Sequence, residues 1–139
     1  MEFCNLDKNN YYDYKKLINS NITEDYFNNF LDNILNENHL IIVIKKNNII
    51  IGSGTIIIEY KLTHNGSIMG HLENIIIDEK YRQQGYGEKL VEYLLILCNK
   101  KKCYRVDLNC NCELENFYKK NNFNKKNLCM NYYFKDNFN

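Results

Sequence analysis

At 139 residues the chain is long enough to form a single domain with a sizeable buried core. Eighteen basic and 17 acidic side chains leave a formal net charge of +1, which provides no field selecting nucleic acid or an anionic membrane. The longest apolar runs are about ten residues and carry Gly or Lys, too short to span a bilayer.

The N-terminus, Met1-Glu2-Phe3-Cys4-Asn5, is acidic and polar and has neither the basic nor the apolar stretch of a secretory signal, so a cytoplasmic protein is expected. The pattern then predicts a short helix from Tyr11 to Ile18. Thr23 is placed to cap a second helix, with Glu24 and Asp25 in its first turn and Phe27, Phe30, Leu31, Ile34 and Leu35 as its apolar stripe. Leu40 to Ile44 reads as a buried strand. After the turn Lys45-Lys46-Asn47-Asn48, Ile49 to Tyr60 returns as its hairpin partner. Gly52 and Gly54 inside that strand predict a bulge or a close backbone approach.

Thr63 to Ser67 reads as a loop, and Ile68 to Ile77 as a third strand. A helix from Tyr86 to about Lys101 buries Leu90, Val91, Leu94, Leu95 and Cys98, and the cations Lys100-Lys101-Lys102 suit its C-terminal dipole. Arg105 to Cys110 predicts a fourth strand, Glu113 to Asn121 a short helix and Leu128 to Phe134 a last, aromatic strand. This order predicts one α/β domain over 1–139, with a mixed central sheet flanked by helices on both faces. Of the six cysteines, Cys98, Cys103, Cys110 and Cys129 are expected to be small buried hydrophobes in a reducing compartment. The pair Cys110-x-Cys112 and the histidines His39, His64 and His71 lack zinc-ligand spacing, so no metal is expected.

The segment Arg82-Gln83-Gln84-Gly85-Tyr86-Gly87 carries the most chemistry. It is a glycine-bearing turn between a strand and an amphipathic helix. Without a β-carbon, Gly85 and Gly87 let the backbone approach a ligand, and the unpaired amides of the helix's first turn then face an anion. No Gly-Lys-Ser/Thr follows, so the turn is not a Walker A loop; the Gly-x-Gly-x-x-Gly spacing of a dinucleotide site is absent too.

From Tyr60 onward the chain resembles the GCN5-related N-acetyltransferase (GNAT) superfamily, and within it the branch that acetylates glucosamine 6-phosphate. The stretches carrying this resemblance are Tyr60-Lys61-Leu62-Thr63-His64-Asn65, Gly70-His71-Leu72-Glu73-Asn74-Ile75, Tyr81 to Gly87, Cys103-Tyr104-Arg105-Val106, Leu108-Asn109-Cys110 and Asn116-Phe117-Tyr118-Lys119-Lys120. The resemblance implies acetyl-CoA as cosubstrate. The main chain of Ile75, Ile76 and Ile77 would hold its pantetheine arm. Gln83, Gln84, Gly85, Tyr86, Gly87 and Glu88 would hold the pyrophosphate, with Arg82 and Asn116 nearby. Catalytic roles fall to Glu73, which orients the amine or takes its proton, to Tyr118, which assists the departing thiolate, and to Asn109. Lys61, His64, Glu73, Asn74, Tyr104, Arg105 and Asn109 would bind the sugar phosphate.

Two positions depart from the family's pattern: Asn74 and Asn109 stand where carboxylates are usual, and an amide loses attraction for an ammonium. In place of a basic residue on the last strand the chain has Tyr133. The resemblance also implies a homodimer built on that strand, through Met130, Tyr132, Tyr133 and Phe134, and a small-molecule acceptor. Two alternatives stand beside this reading. One is transfer to another amine, such as a polyamine, a lysine or a protein N-terminus; the other is a non-catalytic acetyl-CoA sensor, against which Glu73 and Tyr118 speak.

Overall fold

The computed structural model describes residues 1–135 and 137. They form two compact units, Met1–Leu108 and Asn109–Asn139, and each is described by itself.

The first unit holds a five-stranded sheet in the order β1-β2-β3-β4-β5, made of β1 (Glu2–Asn5), β2 (His39–Lys46), β3 (Ile49–Tyr60), β4 (Ile68–Ile77) and β5 (Arg105–Leu108). The first three pairings are antiparallel and β4 pairs with β5 in parallel, so the sheet is mixed, as expected. Strand β1 is absent from the sequence reading. Four residues, only two of them apolar, give too little alternation to recognise, and it forms because β2 offers it an edge.

Helices α1 (Tyr11–Ile18) and α2 (Glu24–Asn33) cover one face of the sheet. The Thr23 hydroxyl accepts from the Tyr26 amide and caps α2, as the sequence predicts. Their apolar sides meet Ile41, Val43 and Ile50 in a cluster with Leu6, Tyr11, Tyr14 and Phe27. The four-residue turn α3 (Thr63–Gly66) replaces the expected loop and holds His64 and Asn65 in the left-handed region. Helix α4 (Tyr86–Lys100) packs on the opposite face, burying Leu90, Val91, Leu94 and Cys98, while Leu95 is half-buried. Phe3 of β1 stacks on Tyr93 of α4 at 4.3 Å between ring centres.

Both glycines of β3 adjoin a bulge, as expected: against β2, Ile44 pairs with Gly52 and Lys45 with Ile50, so Ile51 is an extra residue of β3 beside Gly52, and the second bulge lies at Gly54 against β4. Thr55 pairs with Glu73 and Ser53 with Ile76, so Gly54 alone spans Asn74 and Ile75. The extra residue belongs to β4, and Asn74 takes it up at φ 52°. Gly54 does permit a close approach: a β-carbon there would lie 2.8 Å from Cδ1 of Leu94 on α4.

In the second unit, a 3-10 turn at Cys112–Leu114 leads into α5 (Glu115–Lys120), a shorter helix than expected. The fourth strand ends at Leu108 rather than Cys110. Residues 128–134 form no strand, and Leu128, Met130, Tyr132, Tyr133 and Phe134 are exposed. Alternating aromatics become a strand only against a partner, and no described strand takes them up. Cys110 and Cys129 are exposed too, which corrects their reading as buried hydrophobes; Cys98 is buried and Cys103 half-buried. No helix among the described residues is long and apolar enough to cross a membrane.

Candidate active site

Strand β4 organises the site. Strand β5 pairs with it only from Met69 to Leu72. Beyond that point the edge at Ile75, Ile76 and Ile77 has no strand partner on this side among the described residues. Its main-chain groups are therefore available to an extended ligand that adds as a strand. The open edge begins at the Asn74 bulge, which turns the backbone just after Glu73.

After Ile77 the chain makes a 3-10 turn at Glu79–Tyr81 and reaches the glycine turn. The Arg82 Nε donates to the Ile77 carbonyl at 2.9 Å, and Gln84 donates to the Lys80 carbonyl at 3.2 Å. Arg82 thus braces the turn from its own side chain. Gln83 and Gly85 lie in the left-handed region at φ 60° and 87°, and Gly85 caps α4 without any side-chain hydrogen bond to the first amides. The first turn of α4, formed by Tyr86, Gly87 and Glu88, keeps its amides available to an anion.

Two cations that the sequence reading missed stand beside this turn. The Lys46 and Lys89 ammonium groups lie 5.6 and 5.9 Å from the centre of the Tyr86 ring. The Tyr86 hydroxyl holds the Lys46 ammonium above its ordinary range. Only the folded β2–β3 hairpin brings Lys46 here.

Glu73 is half-buried and lines a cavity of ≈ 370 Å³ between the sheet and α1–α2, whose walls include Tyr14, Ile18, Ile22, Phe30 and Ile57. Asn74 is exposed at its rim.

Four of the predicted acceptor ligands, Lys61, His64, Tyr104 and Arg105, lie at the other end of β4. Lys61 pairs with Glu59, Nζ to Oε2 at 3.2 Å. Arg105 forks onto Asp107, with Nε donating to Oδ1 at 2.9 Å and a terminal nitrogen to Oδ2 at 3.3 Å. The His64 ring lies nearly parallel to that of Tyr104, 6.2 Å away. Glu59 bridges Lys61 and His71, whose Nε2 lies 2.9 Å from Oε1. These contacts hold the Glu59 carboxyl below its usual range, the His71 hydrogen bond first and then Lys61. Glu59, His71 and Asp107 were not read from the sequence as site residues. The available signal was parity, since His71 lies two residues before Glu73 on one strand and so shares its face.

Asn109, Asn116 and Tyr118 belong to the second unit. Asn109 and Asn116 are exposed. Tyr118 is buried between the Phe117 and Phe123 rings, at 5.0 and 5.8 Å. Burial pushes its phenol up, with a smaller push from Cys110, so it stays protonated at neutral pH. Among the described residues, no three His, Cys, Asp or Glu side chains group closely enough to hold a metal ion.

Known proteins resemble the chain in sequence and in fold. The glucosamine 6-phosphate N-acetyltransferase of Arabidopsis thaliana is 31% identical over 84% of this chain and 81% of its own. The glucosamine 6-phosphate N-acetyltransferase 1 of Oryza sativa subsp. japonica is 35% identical over 59% of this chain and 50% of its own. The crystal structure of the Arabidopsis enzyme superposes with a TM-score of 0.91 at 27% identity, covering 96% of this chain and 98% of that one. The family model described as the acetyltransferase (GNAT) family matches residues 4–123. With that match over most of its length, and with an open strand edge running into a glycine turn, the chain belongs to the GNAT acetyltransferase family.

Proposed function

We propose that this protein transfers the acetyl group of acetyl-CoA to the amine of D-glucosamine 6-phosphate. The product, N-acetyl-D-glucosamine 6-phosphate, feeds synthesis of UDP-N-acetylglucosamine in the cytoplasm. The observation that carries the reading is the placing of Glu73 one residue before the bulge that opens the Ile75–Ile77 edge. The Arabidopsis relative's name and coverage support the acceptor.

The GNAT family uses acetyl-CoA as its cosubstrate, and the residues present fit it. The edge at Ile75, Ile76 and Ile77 suits a pantetheine arm, and the turn from Gln83 to Glu88 suits a pyrophosphate, with Lys46 and Lys89 adding positive charge. When bound, acetyl-CoA supplies an activated acyl group. The chain's own residues do the rest, in a ternary complex. Glu73 orients the acceptor and takes a proton from its ammonium, directly or through water. Tyr118, protonated at neutral pH, gives a proton to the departing sulfur. Lys61, His64, Tyr104 and Arg105 hold the sugar phosphate, with Asn74 and Asn109 as neutral hydrogen-bonding groups.

A second copy of the chain would cover the exposed aromatics of residues 128–134, giving a homodimer. A monomeric mass in light scattering at micromolar concentration would remove that part.

The test is thiol release from acetyl-CoA with glucosamine 6-phosphate, free glucosamine, spermidine and a lysine peptide in parallel. Rapid release with the phosphorylated sugar alone is expected. Release with another amine would move the acceptor, and tight acetyl-CoA binding without release would leave a sensor.

A further inference from the structure

His71 lies between the two halves of the acceptor site and has no role in the chemistry above. Its side chain shares a face with that of Glu73, about 7 Å further back along β4. Across β3–β4 it pairs with Ile57, and across β4–β5 with Asp107. One step further along the sheet, Met69 pairs with Glu59 and with Arg105. The face therefore presents Glu73, then His71 beside Asp107, then the Lys61–Glu59 and Arg105–Asp107 pairs. A sugar ring with a phosphate on its far side fills such a span once the side chains reach in.

The imidazole is steadied from one side only. Nε2 is engaged by Glu59 at 2.9 Å, and Glu59 is itself pinned by Lys61 at 3.2 Å. Nδ1 makes no hydrogen bond among the described residues, so it remains free to donate or accept. The His71 side chain is 30% exposed and that of Glu59 46%. A pair this open contributes little to stability, so holding the fold together is a poor account of so ordered a chain of contacts.

We infer that His71, held by Glu59, is a specificity-determining residue: it hydrogen-bonds a ring hydroxyl of an amino sugar whose amine faces Glu73 and whose phosphate faces Lys61 and Arg105. This rests on the acceptor class proposed above. Asp107, beside His71, holds Arg105 one step further along the same face, and Glu59 acts through His71 as a positioning residue.

The test is steady-state kinetics of the full chain with glucosamine 6-phosphate and with its analogues lacking the 3- or the 4-hydroxyl. The wild type loses about tenfold in kcat/KM on one of the two analogues, the worth of one hydrogen bond. His71→Ala raises KM for the intact sugar by about the same factor, leaves KM for acetyl-CoA unchanged, and no longer responds to deletion of that hydroxyl. His71→Asn, which retains a donor, recovers part of the loss and covers the case in which the alanine variant folds poorly. Glu59→Gln, which keeps the imidazole but loosens it, falls in between. If the wild type acetylates glucosamine 6-phosphate but His71→Ala responds to both deletions as the wild type does, the inference is overturned and the acceptor class stands. If the wild type does not acetylate this sugar, both fall.

Discussion

Asn74 and Gly54 are the two halves of one β-bulge: a single glycine of β3 lies opposite two residues of β4, and the extra residue is an asparagine in the left-handed region. Two functions of the strand are separated at this point. Up to Leu72 it pairs with β5 inside the sheet; after the bulge its edge is open to a ligand. Asn is among the few side chains that tolerate this backbone region, which gives Asn74 a conformational reason for its place in addition to any contact with an acceptor.

Asn74→Val places a β-branched side chain at φ 52°. The expected cost is about 1–3 kcal/mol of stability, with weaker acetyl-CoA binding as the edge loses its shape. Asn74→Gly should be nearly neutral in stability. Thermal unfolding and calorimetric titration with acetyl-CoA measure the two effects, and equal stability of the valine variant would remove the bulge from this account.

Glu73→Gln retains shape and hydrogen bonding but not basicity. Turnover with the acceptor should fall by about 10²-fold or more, while acetyl-CoA affinity stays within about twofold. Unchanged turnover would show that the proton leaves by another route.

Gly85→Ala is a test of backbone rather than of space, because a β-carbon there meets nothing within 4 Å while φ is 87°. The strain should cost about 1 kcal/mol and fall on the turn that faces the pyrophosphate. Acetyl-CoA should bind more weakly, and Gly85→Asn should retain more affinity than Gly85→Ala. Affinities in the reverse order would contradict a requirement for left-handed backbone.

Cys98 makes the fold sensitive to alkali. Burial, followed by the neighbouring Cys103, pushes its thiol from an ordinary 9.0 up to about 12. The folded value is the higher one, so this group's contribution is fully present below pH 9 and is lost as pH rises toward 12. Cys98→Ala should unfold at lower temperature at pH 7, by the few °C that match about 1–2 kcal/mol of lost packing. Its stability should then decline less steeply than the wild type's between pH 9 and 12. Melting curves across that range, with reductant present, check both parts; parallel declines would clear Cys98 of the effect.

Much of the fold and of the candidate site was legible in the chain alone. The long strands β3 and β4, the glycine turn and α4 follow from patterns only a few residues wide, whereas Glu73 stands out as a candidate base through the family resemblance. Helix periodicity and capping depend on near neighbours in sequence, which is why α1, α2 and α4 match their predicted bounds so closely. What required the folded chain is whatever depends on a distant partner. Strand β1 exists because β2 offers an edge, and residues 128–134 form no strand and are exposed where none does. The bulge at Gly54 has its extra residue at Asn74 of β4, because register is shared between two strands and cannot be assigned from one. The pair Glu59–His71, and Lys46 beside Tyr86, follow in the same way from which residues the sheet and hairpin set side by side.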